Sequence, residues 1–281
     1  MPYYADAPLY STLTLGEEAL FMTAHTAVPD TGQAIEPLFA TAEPDDVSSH
    51  VHRQFIGGLG LVLPVLLWLI AGWRPTEGLP RWELLGSVSA YYYTGAVAAF
   101  VGILFALGVF LFTYRGYNNK YRRRDRVAAI VAGSAAFLVA FFPTSAPNDL
   151  SVPSWWTPRT GTIHYISAVI LFCAFSFFSL FLFPKSKVGG GKPLPLDKRA
   201  RNWIYILCGI AMVVCMLWAG SAYFTGAPIF WPEALALEFF AVSWLVKGRA
   251  DRTAVVVGRR TLYYGRHPGE LVGEVWGAIR G

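Results

Sequence analysis

Three ionisable side chains, His164, Glu233 and Glu238, lie within or at the edge of long apolar runs. A charged side chain at the centre of a membrane span costs roughly 2.5–3.5 kcal/mol on insertion scales, so such residues indicate a polar interior or a functional contact. Glu233 follows Pro232 in what we expect to be the first turn of a helix, where a carboxylate interacts favourably with exposed amides. A capping role and a ligand contact therefore both fit Glu233.

Glu238 lies deeper in the same apolar run. At 1.5 Å per residue it falls roughly 9 Å beyond the helix start, too far for a short side chain to reach the aqueous boundary. We expect it to face a polar interior that neighbouring helices enclose; the alternative is a protonated side chain against lipid. Glu233 and Glu238 are roughly 140° apart around the helix, so they do not form an acid/base pair on one face.

His164 begins another apolar run, where a histidine is either an interfacial anchor, a ligand contact or a catalytic base. Several hydroxyl-bearing residues should lie at the same level, among them Ser89 and Thr144. We predict a polar recess that opens outward and has Glu238 as its floor. His164 and Glu238 would be its polar contacts, and Ser89 and Glu233 would lie at its rim.

Six apolar runs, each long enough to cross a bilayer core of roughly 30 Å, set the fold class. Charged residues make up 15% of the 281 residues, against roughly 25% in a typical soluble domain. We predict an all-α protein, a polytopic transmembrane bundle of six helices. The predicted spans lie near residues 55–73, within 84–114, and near 127–142, 163–183, 203–220 and 232–246.

The distribution of lysine and arginine predicts the orientation of these spans. With both termini in the cytoplasm, only Arg74, Arg81 and Arg159 of the 23 Lys and Arg residues lie outside, which leaves about 20 inside. The domains are then a polar acidic tail (1–53), the transmembrane domain (54–247) and a basic cytoplasmic tail (248–281). We expect the basic excess to contact anionic lipid headgroups, not nucleic acid. An apolar stripe within 271–279 suits an interfacial helix.

Other motifs predict no cofactor and no metal site. Cys173, Cys208 and Cys215 all fall in apolar runs without metal-ligand spacing, which is typical of small buried hydrophobic residues. The glycines at 189–191 lie between lysines and prolines and indicate a linker, not a phosphate-binding loop. A stripe of small residues on the second span could pack against neighbouring helices and place that helix centrally, or could simply face lipid; it comprises Gly95, Ala98, Ala99, Gly102 and Ala106.

Several segments resemble an uncharacterised bacterial membrane-protein family. They include Ser87-Val-Ser-Ala-Tyr-Tyr-Tyr-Thr94, Phe142-Pro-Thr144, Ile163-His-Tyr-Ile-Ser-Ala168 and Glu233-Ala-Leu-Ala-Leu-Glu238. More loosely, the layout is similar to the DRAM/Frag/Sfk group of six-span proteins, which pairs an early serine motif with an acidic residue in the last span. The resemblance implies a multi-pass protein of the bacterial cytoplasmic membrane but no activity. Where such proteins often carry an Arg-Asp or Arg-Asn pair, this chain has Gly95-Ala-Val-Ala-Ala99, which weakens a catalytic interpretation.

Three functions are therefore compatible with the sequence. We expect a non-enzymatic protein that binds or moves a lipid or small amphiphile through the recess, with Ser89, His164, Glu233 and Glu238 as ligand-binding residues. The first alternative is an intramembrane lipid hydrolase or transferase, in which His164 acts as base and Ser89 or a carboxylate assists. The second is a membrane scaffold that acts through its tails.

Overall fold

The computed structural model describes residues 44–79, 81–114, 122–147, 150–185 and 196–250. Within these ranges the chain forms α-helices with short 3₁₀ and π segments and no strand, which confirms the all-α class. Most of both predicted tails, including the stripe within 271–279, lies outside the described residues. The helices are α1 (Pro44–Trp73), α2 (Val97–Thr113), α3 (Arg122–Phe141), α4 (Pro158–Phe177), α5 (Leu196–Thr225) and α6 (Phe230–Lys247), with a 3₁₀ segment at Ser89–Tyr93 and a π segment at Phe178–Leu182.

Three of the described helical stretches are long and apolar enough to cross a membrane: Ser49–Trp73, Pro158–Leu182 and Lys198–Thr225. The other three helices fall short for local reasons. α2 has 17 residues, α3 begins with a run of arginines, and α6 contains Glu233, Glu238 and Lys247. The structure thus indicates a helical membrane protein with three candidate spanning helices.

The first helix begins at Pro44, well before the start at residue 55 that the sequence predicted. Proline is favoured at the first helical position. The last part of the predicted N-terminal tail is therefore helical. Arg53, which we had assigned to that tail, is 1% exposed and lies on the same buried stripe of α1 as Ile56, Gly60 and Leu63.

The six described helices form a ring, because each packs on its neighbours in the chain and α6 returns to pack on α1. Small residues lie where neighbouring helices approach each other most closely. A Cβ atom added to Gly57 would lie 3.0 Å from the carbonyl oxygen of Ala241, and one added to Gly133 would lie 2.9 Å from that of Gly108. Backbones this close maximise dispersion contacts where lipid gives no hydrophobic driving force between helices.

The central position predicted for the second span is wrong. Ala98 and Gly102 of the small-residue stripe are exposed, and an added Cβ on Gly102 would meet open space. α2 instead buries Phe100, Leu104 and Leu107, because larger side chains fill the space inside the ring. Part of the stripe faces outward, as its alternative interpretation proposed, whereas Gly95, Ala99 and Ala106 are half-buried.

Two ends of the bundle can be distinguished by side-chain contacts. The Glu233 end holds the starts of α4 and α6 and the 3₁₀ segment, since Glu233 contacts Val88 and His164 contacts Ser89. The Lys247 end holds the end of α6, where the ammonium group of Lys247 donates to the carbonyl of Phe183. Between them the core is aromatic, and the rings of Phe175 and Phe240 stack at 3.6 Å between centroids.

Candidate functional site

His164 and Ser89, 75 residues apart in the chain, form a direct hydrogen bond at the Glu233 end. The imidazole Nε2 lies 2.9 Å from the hydroxyl oxygen of Ser89. His164 is 1% exposed and Ser89 is 9% exposed, so bulk water has almost no access to the pair. His164 shares the buried stripe of α4 with Thr160, Ser167 and Leu171, which explains why it points inward.

The second ring nitrogen of His164 determines which of the two groups donates in this hydrogen bond. Nδ1 lies 2.6 Å from the carbonyl oxygen of Phe142, which can only accept. In the neutral imidazole, Nδ1 therefore carries the hydrogen and Nε2 presents its lone pair. The hydroxyl of Ser89 must then donate to Nε2, which is the arrangement of a serine beside a general base.

The carboxyl group of Glu233 caps the 3₁₀ segment at Ser89–Tyr93, and not its own helix α6. Its Oε2 accepts a hydrogen bond of 2.7 Å from the backbone N–H of Val88, the residue before the 3₁₀ segment. The carboxyl group also contacts the backbone of Ser89. The first turn of α6 thus holds the segment that carries Ser89. A second tie runs from the N–H of Ile229 to the carbonyl of Gly86, at 2.7 Å.

Three consecutive carbonyls after α3 each accept a hydrogen bond from an aromatic or imidazole side chain. Phe142 accepts from His164, Pro143 from the indole of Trp156 at 3.2 Å, and Thr144 from the hydroxyl of Tyr93 at 2.5 Å. Burial raises the pKa of Tyr93 to about 12, so its hydroxyl remains a donor. The helix ends at Phe141, before Pro143, so the carbonyls of residues 142–144 have no helical partners and accept hydrogen bonds from this network.

The amides around Ser89 are all engaged. Those of Val88 and Ser89 contact Glu233. The amide of Ala90 donates to the hydroxyl of Ser87 at 3.0 Å, and that of Tyr91 donates to the carbonyl of Val88 at 3.3 Å. Acyl transfer needs N–H donors aimed at the developing oxyanion. Between residues 88 and 91, the described backbone offers no such free pair.

A cavity of about 530 Å³ lies between α4, α5 and α6 at the same end. Its lining residues fall within 162–172 of α4, 215–224 of α5 and 229–236 of α6, and most are apolar. Glu233 is the one carboxylate or basic residue among the described lining residues, and Thr162, Tyr165 and Tyr223 contribute hydroxyls. Ser89 and His164 do not line the cavity; Glu233, through the backbone of residues 88 and 89, and Tyr165, whose ring packs edge to face on His164 at 5.9 Å between centroids, connect it with the Ser89–His164 pair.

Glu238 lies apart from these groups. It shares one face of α6 with Trp231 and Val242, which are 57% and 40% exposed, because residues seven and four apart lie one above another on a helix. The cavity lining does not include it. This corrects the expectation that Glu238 forms the floor of a recess: the described cavity is largely apolar, and Glu233 supplies its carboxyl group. Glu238 itself is half-buried, and its predicted ligand contact stays a prediction.

Sequence reasoning missed a set of charged residues at the Lys247 end. Arg53 and Asp125 are buried, and the guanidinium of Arg53 lies 5.7 Å from the ring centre of Tyr114. The ammonium of Lys247 lies 5.1 Å and 5.5 Å from the rings of Phe183 and Tyr205. The position of Arg53 on the apolar stripe of α1 was the available signal. No sequence signal indicated the roles of the Val88 amide and the Phe142 carbonyl, because every residue type has a backbone carbonyl and almost every one has an amide.

No family model matches the sequence, and no curated protein or solved structure matches the chain. The similarity to the DRAM/Frag/Sfk group therefore stays a prediction. The geometry of the cavity and of the Ser89–His164 pair has to support any functional conclusion.

Proposed function

We propose that this protein binds a lipid or small amphiphile in the membrane, in the cavity between α4, α5 and α6. The observation that carries the proposal is the cavity itself, about 530 Å³ with apolar walls and one carboxyl group. Ligand sites typically measure roughly 300–1,000 Å³, are mainly apolar, and use a few polar groups to orient the ligand. An apolar wall among membrane helices suits a hydrocarbon chain, and Glu233 suits a polar head.

The proposal includes a six-span topology with both termini in the cytoplasm of a bacterium. Contacts at the two ends support alternating helix directions: α1 contacts Gly248 through Gln54, α2 begins beside the 3₁₀ segment, and α3 begins where Arg126 contacts Phe112. The Glu233 end would then face outward, since Lys and Arg concentrate at the other end. At roughly 1.5 Å per residue, α2 and α6 are a few ångströms shorter than a hydrocarbon core, a mismatch that bilayers accommodate.

A membrane-impermeant maleimide tests this topology. A cysteine at Ser154, an exposed position between α3 and α4, should react in intact cells. A cysteine at Arg123, exposed at the start of α3, should react only after lysis. The unsubstituted chain, which has three cysteines, gives the background. Labelling of both positions from one side would contradict the six-span arrangement.

Filling the cavity tests the binding proposal. Gly220 lines it, and a Cβ added there would meet open space, so Gly220→Leu should enter the cavity without a backbone clash. Gly102→Leu is the matched control, since Gly102 is also a helical glycine with open space beside it but lies on α2. Native mass spectrometry should show a bound lipid or added amphiphile in the unsubstituted protein and in Gly102→Leu, and loss of it in Gly220→Leu. Equal occupancy in all three proteins would refute the proposal.

A second candidate function is acyl transfer from a lipid ester, favoured by the 2.9 Å contact between Ser89 and His164. The Ser89 oxygen would bond to the acyl carbon while its proton passes to Nε2 of His164, which then protonates the departing alcohol. Water or another alcohol would release the acyl group from Ser89. Because the amides of residues 88–91 are engaged, this chemistry requires the 3₁₀ segment to move, and the described geometry favours binding.

Labelling distinguishes the two functions. A fluorophosphonate reacts covalently with an activated serine, so the acyl-transfer function predicts labelling that disappears in Ser89→Ala. Ser221→Ala, in which an exposed serine on α5 is removed, is the control that should keep any labelling of Ser89. The binding function predicts the same background labelling in the unsubstituted protein, Ser89→Ala and Ser221→Ala. Lipid profiles of a deletion strain add an independent readout, because a lost transferase leaves its substrate to accumulate.

A further inference from the structure

We infer that the ligand of this cavity carries a protonated primary or secondary amine next to its hydrocarbon chain. This inference rests on the proposed binding function and adds the chemical class of the head. Its starting point is Glu233, the one acidic group among the described residues that line the cavity. Apolar walls alone would accept a chain with any head, whereas a single carboxylate selects by charge.

The described residues leave Glu233 with backbone partners only. Its contacts are with the backbone of Val88 and Ser89, and no Lys, Arg or His in the described part of the chain forms an ion pair with it. A carboxylate has about four acceptor positions on its two oxygens, so capacity for a further donor remains. A carboxylate in surroundings of low dielectric is stabilised strongly by an opposite charge, which a ligand ammonium group would supply.

Aromatic side chains add to this preference. Tyr165 and Tyr223 line the cavity, and their rings pack edge to face with centroids 5.7 Å apart. Phe172 and Phe224 also line it. Aromatic faces attract ammonium groups, most strongly where water is excluded. A cavity that has one carboxylate on α6 and aromatic rings on α4 and α5 is therefore complementary to an alkylammonium head, and its carboxylate would repel a fatty acid or a phosphate.

The carboxylate further favours an amine that retains N–H groups. Hydrogen bonds between ionised partners are stronger than neutral ones, and a primary ammonium group can donate them to Glu233. A quaternary ammonium group would satisfy the rings and the charge but could not donate. An alcohol could donate but carries no charge. These differences define a set of probe molecules that share one hydrocarbon tail and differ only in the polar head group.

The test uses the full chain in nanodiscs with dodecylamine, dodecyltrimethylammonium, dodecanol and dodecanoate, and measures binding by native mass spectrometry and thermal shift. Dodecylamine should bind about tenfold more tightly than dodecanol, which corresponds to one charged hydrogen bond. The quaternary amine should be intermediate and the acid weakest. Equal binding of amine and alcohol, or of amine and quaternary amine, would overturn the inference.

Two variants test whether Glu233 is responsible for the preference for an amine over an alcohol. Glu233→Gln keeps an oxygen that can accept from Val88 but removes the charge, and the amine should then bind no better than the alcohol. Glu238→Gln removes a half-buried carboxyl of the same helix that does not line the cavity, and it should leave the preference intact. Persistence of the amine preference in Glu233→Gln would refute the role of that residue. If Glu233→Gln does not fold, the order of the four probes on the unsubstituted protein still decides the question.

Failure of this inference is distinguishable from failure of the proposed function. If no probe binds, or if Gly220→Leu weakens none of them, the cavity is not a ligand site. If all four probes bind with similar affinity and Gly220→Leu weakens all of them, the cavity binds chains but Glu233 does not select the head.

Discussion

The two ends of the bundle hold buried polar groups in opposite ways. At the Glu233 end, Ser89, His164 and Glu233 contact one another or backbone groups, and an open cavity borders Glu233. At the Lys247 end, Arg53 and Lys247 lie against aromatic rings. The first end combines directional hydrogen bonds with free space, and the second combines charge with close packing.

This difference indicates distinct roles. Free space beside a positioned carboxyl group can admit a ligand, so the Glu233 end suits recognition. Charges packed against rings and carbonyls leave little room, and their cost is repaid by cation–π contacts and charged hydrogen bonds. The Lys247 end therefore suits holding the helices of the bundle together.

The largest expected effect is a loss of stability when a buried charge is removed from the Lys247 end. Arg53→Leu removes a buried guanidinium whose loss leaves the remaining buried charges, such as that of Asp125, less compensated. We expect a loss of about 3 kcal/mol in unfolding free energy. Arg123→Leu, at an exposed position on α3, is the control and should change stability little. Thermal unfolding in detergent measures both, and equal effects would contradict a role of the Lys247 end in holding the helices together.

The next effect tests the network at the Glu233 end. His164→Phe preserves a ring of similar size but leaves the carbonyl of Phe142 and the hydroxyl of Ser89 without their partner. We expect a loss of about 2 kcal/mol, the cost of two buried polar groups left partly unsatisfied. Ile163→Ala, an exposed neighbour, provides the comparison. A stable His164→Phe protein would show that the histidine is not structurally required.

A smaller effect is expected for the other partner of the same bond. Ser89→Ala removes the donor to Nε2 of His164 and should cost about 1 kcal/mol. Ser221→Ala removes an exposed hydroxyl that bonds to a carbonyl of its own helix, and it should cost less than about 0.5 kcal/mol. Because Ser89 does not line the cavity, ligand affinity in Ser89→Ala should stay within about twofold of the original. A larger drop would extend the binding site to the Ser89–His164 pair.

The smallest effect is expected for Glu238. Glu238 is half-buried and lies outside the cavity lining, so we expect Glu238→Gln to change unfolding free energy by less than about 0.5 kcal/mol and to leave ligand binding unchanged. Denaturation and native mass spectrometry check the two parts. Loss of binding in this variant would restore the recess that the sequence predicted and would shift the site toward the middle of the bundle.

Local pattern determined much of the fold. Apolar runs interrupted by basic loops predicted helices near the positions where α2 to α6 occur, and the proline at 143 predicted the end of α3. His164 and Arg53 both lie on buried stripes of their helices. The sequence left His164 as an anchor, a ligand contact or a base, and it placed Arg53 in the N-terminal tail. The start of α1 was not predicted because the residues before the apolar run are polar and have no helical pattern of apolar positions.

The sequence by itself determined which residue types were available near each end: a serine, a histidine and two carboxylates within otherwise apolar surroundings. Tertiary structure decided which of them meet. Ser89 and His164 approach because α4 packs beside the 3₁₀ segment, and Glu233 joins them through backbone amides that no sequence pattern marks. Glu233 lines the cavity and Glu238 does not, and this depends on the rotation of α6 in the ring, because a helix in isolation has no preferred rotation. Rotation is set by packing against neighbours, which is information that one span does not contain.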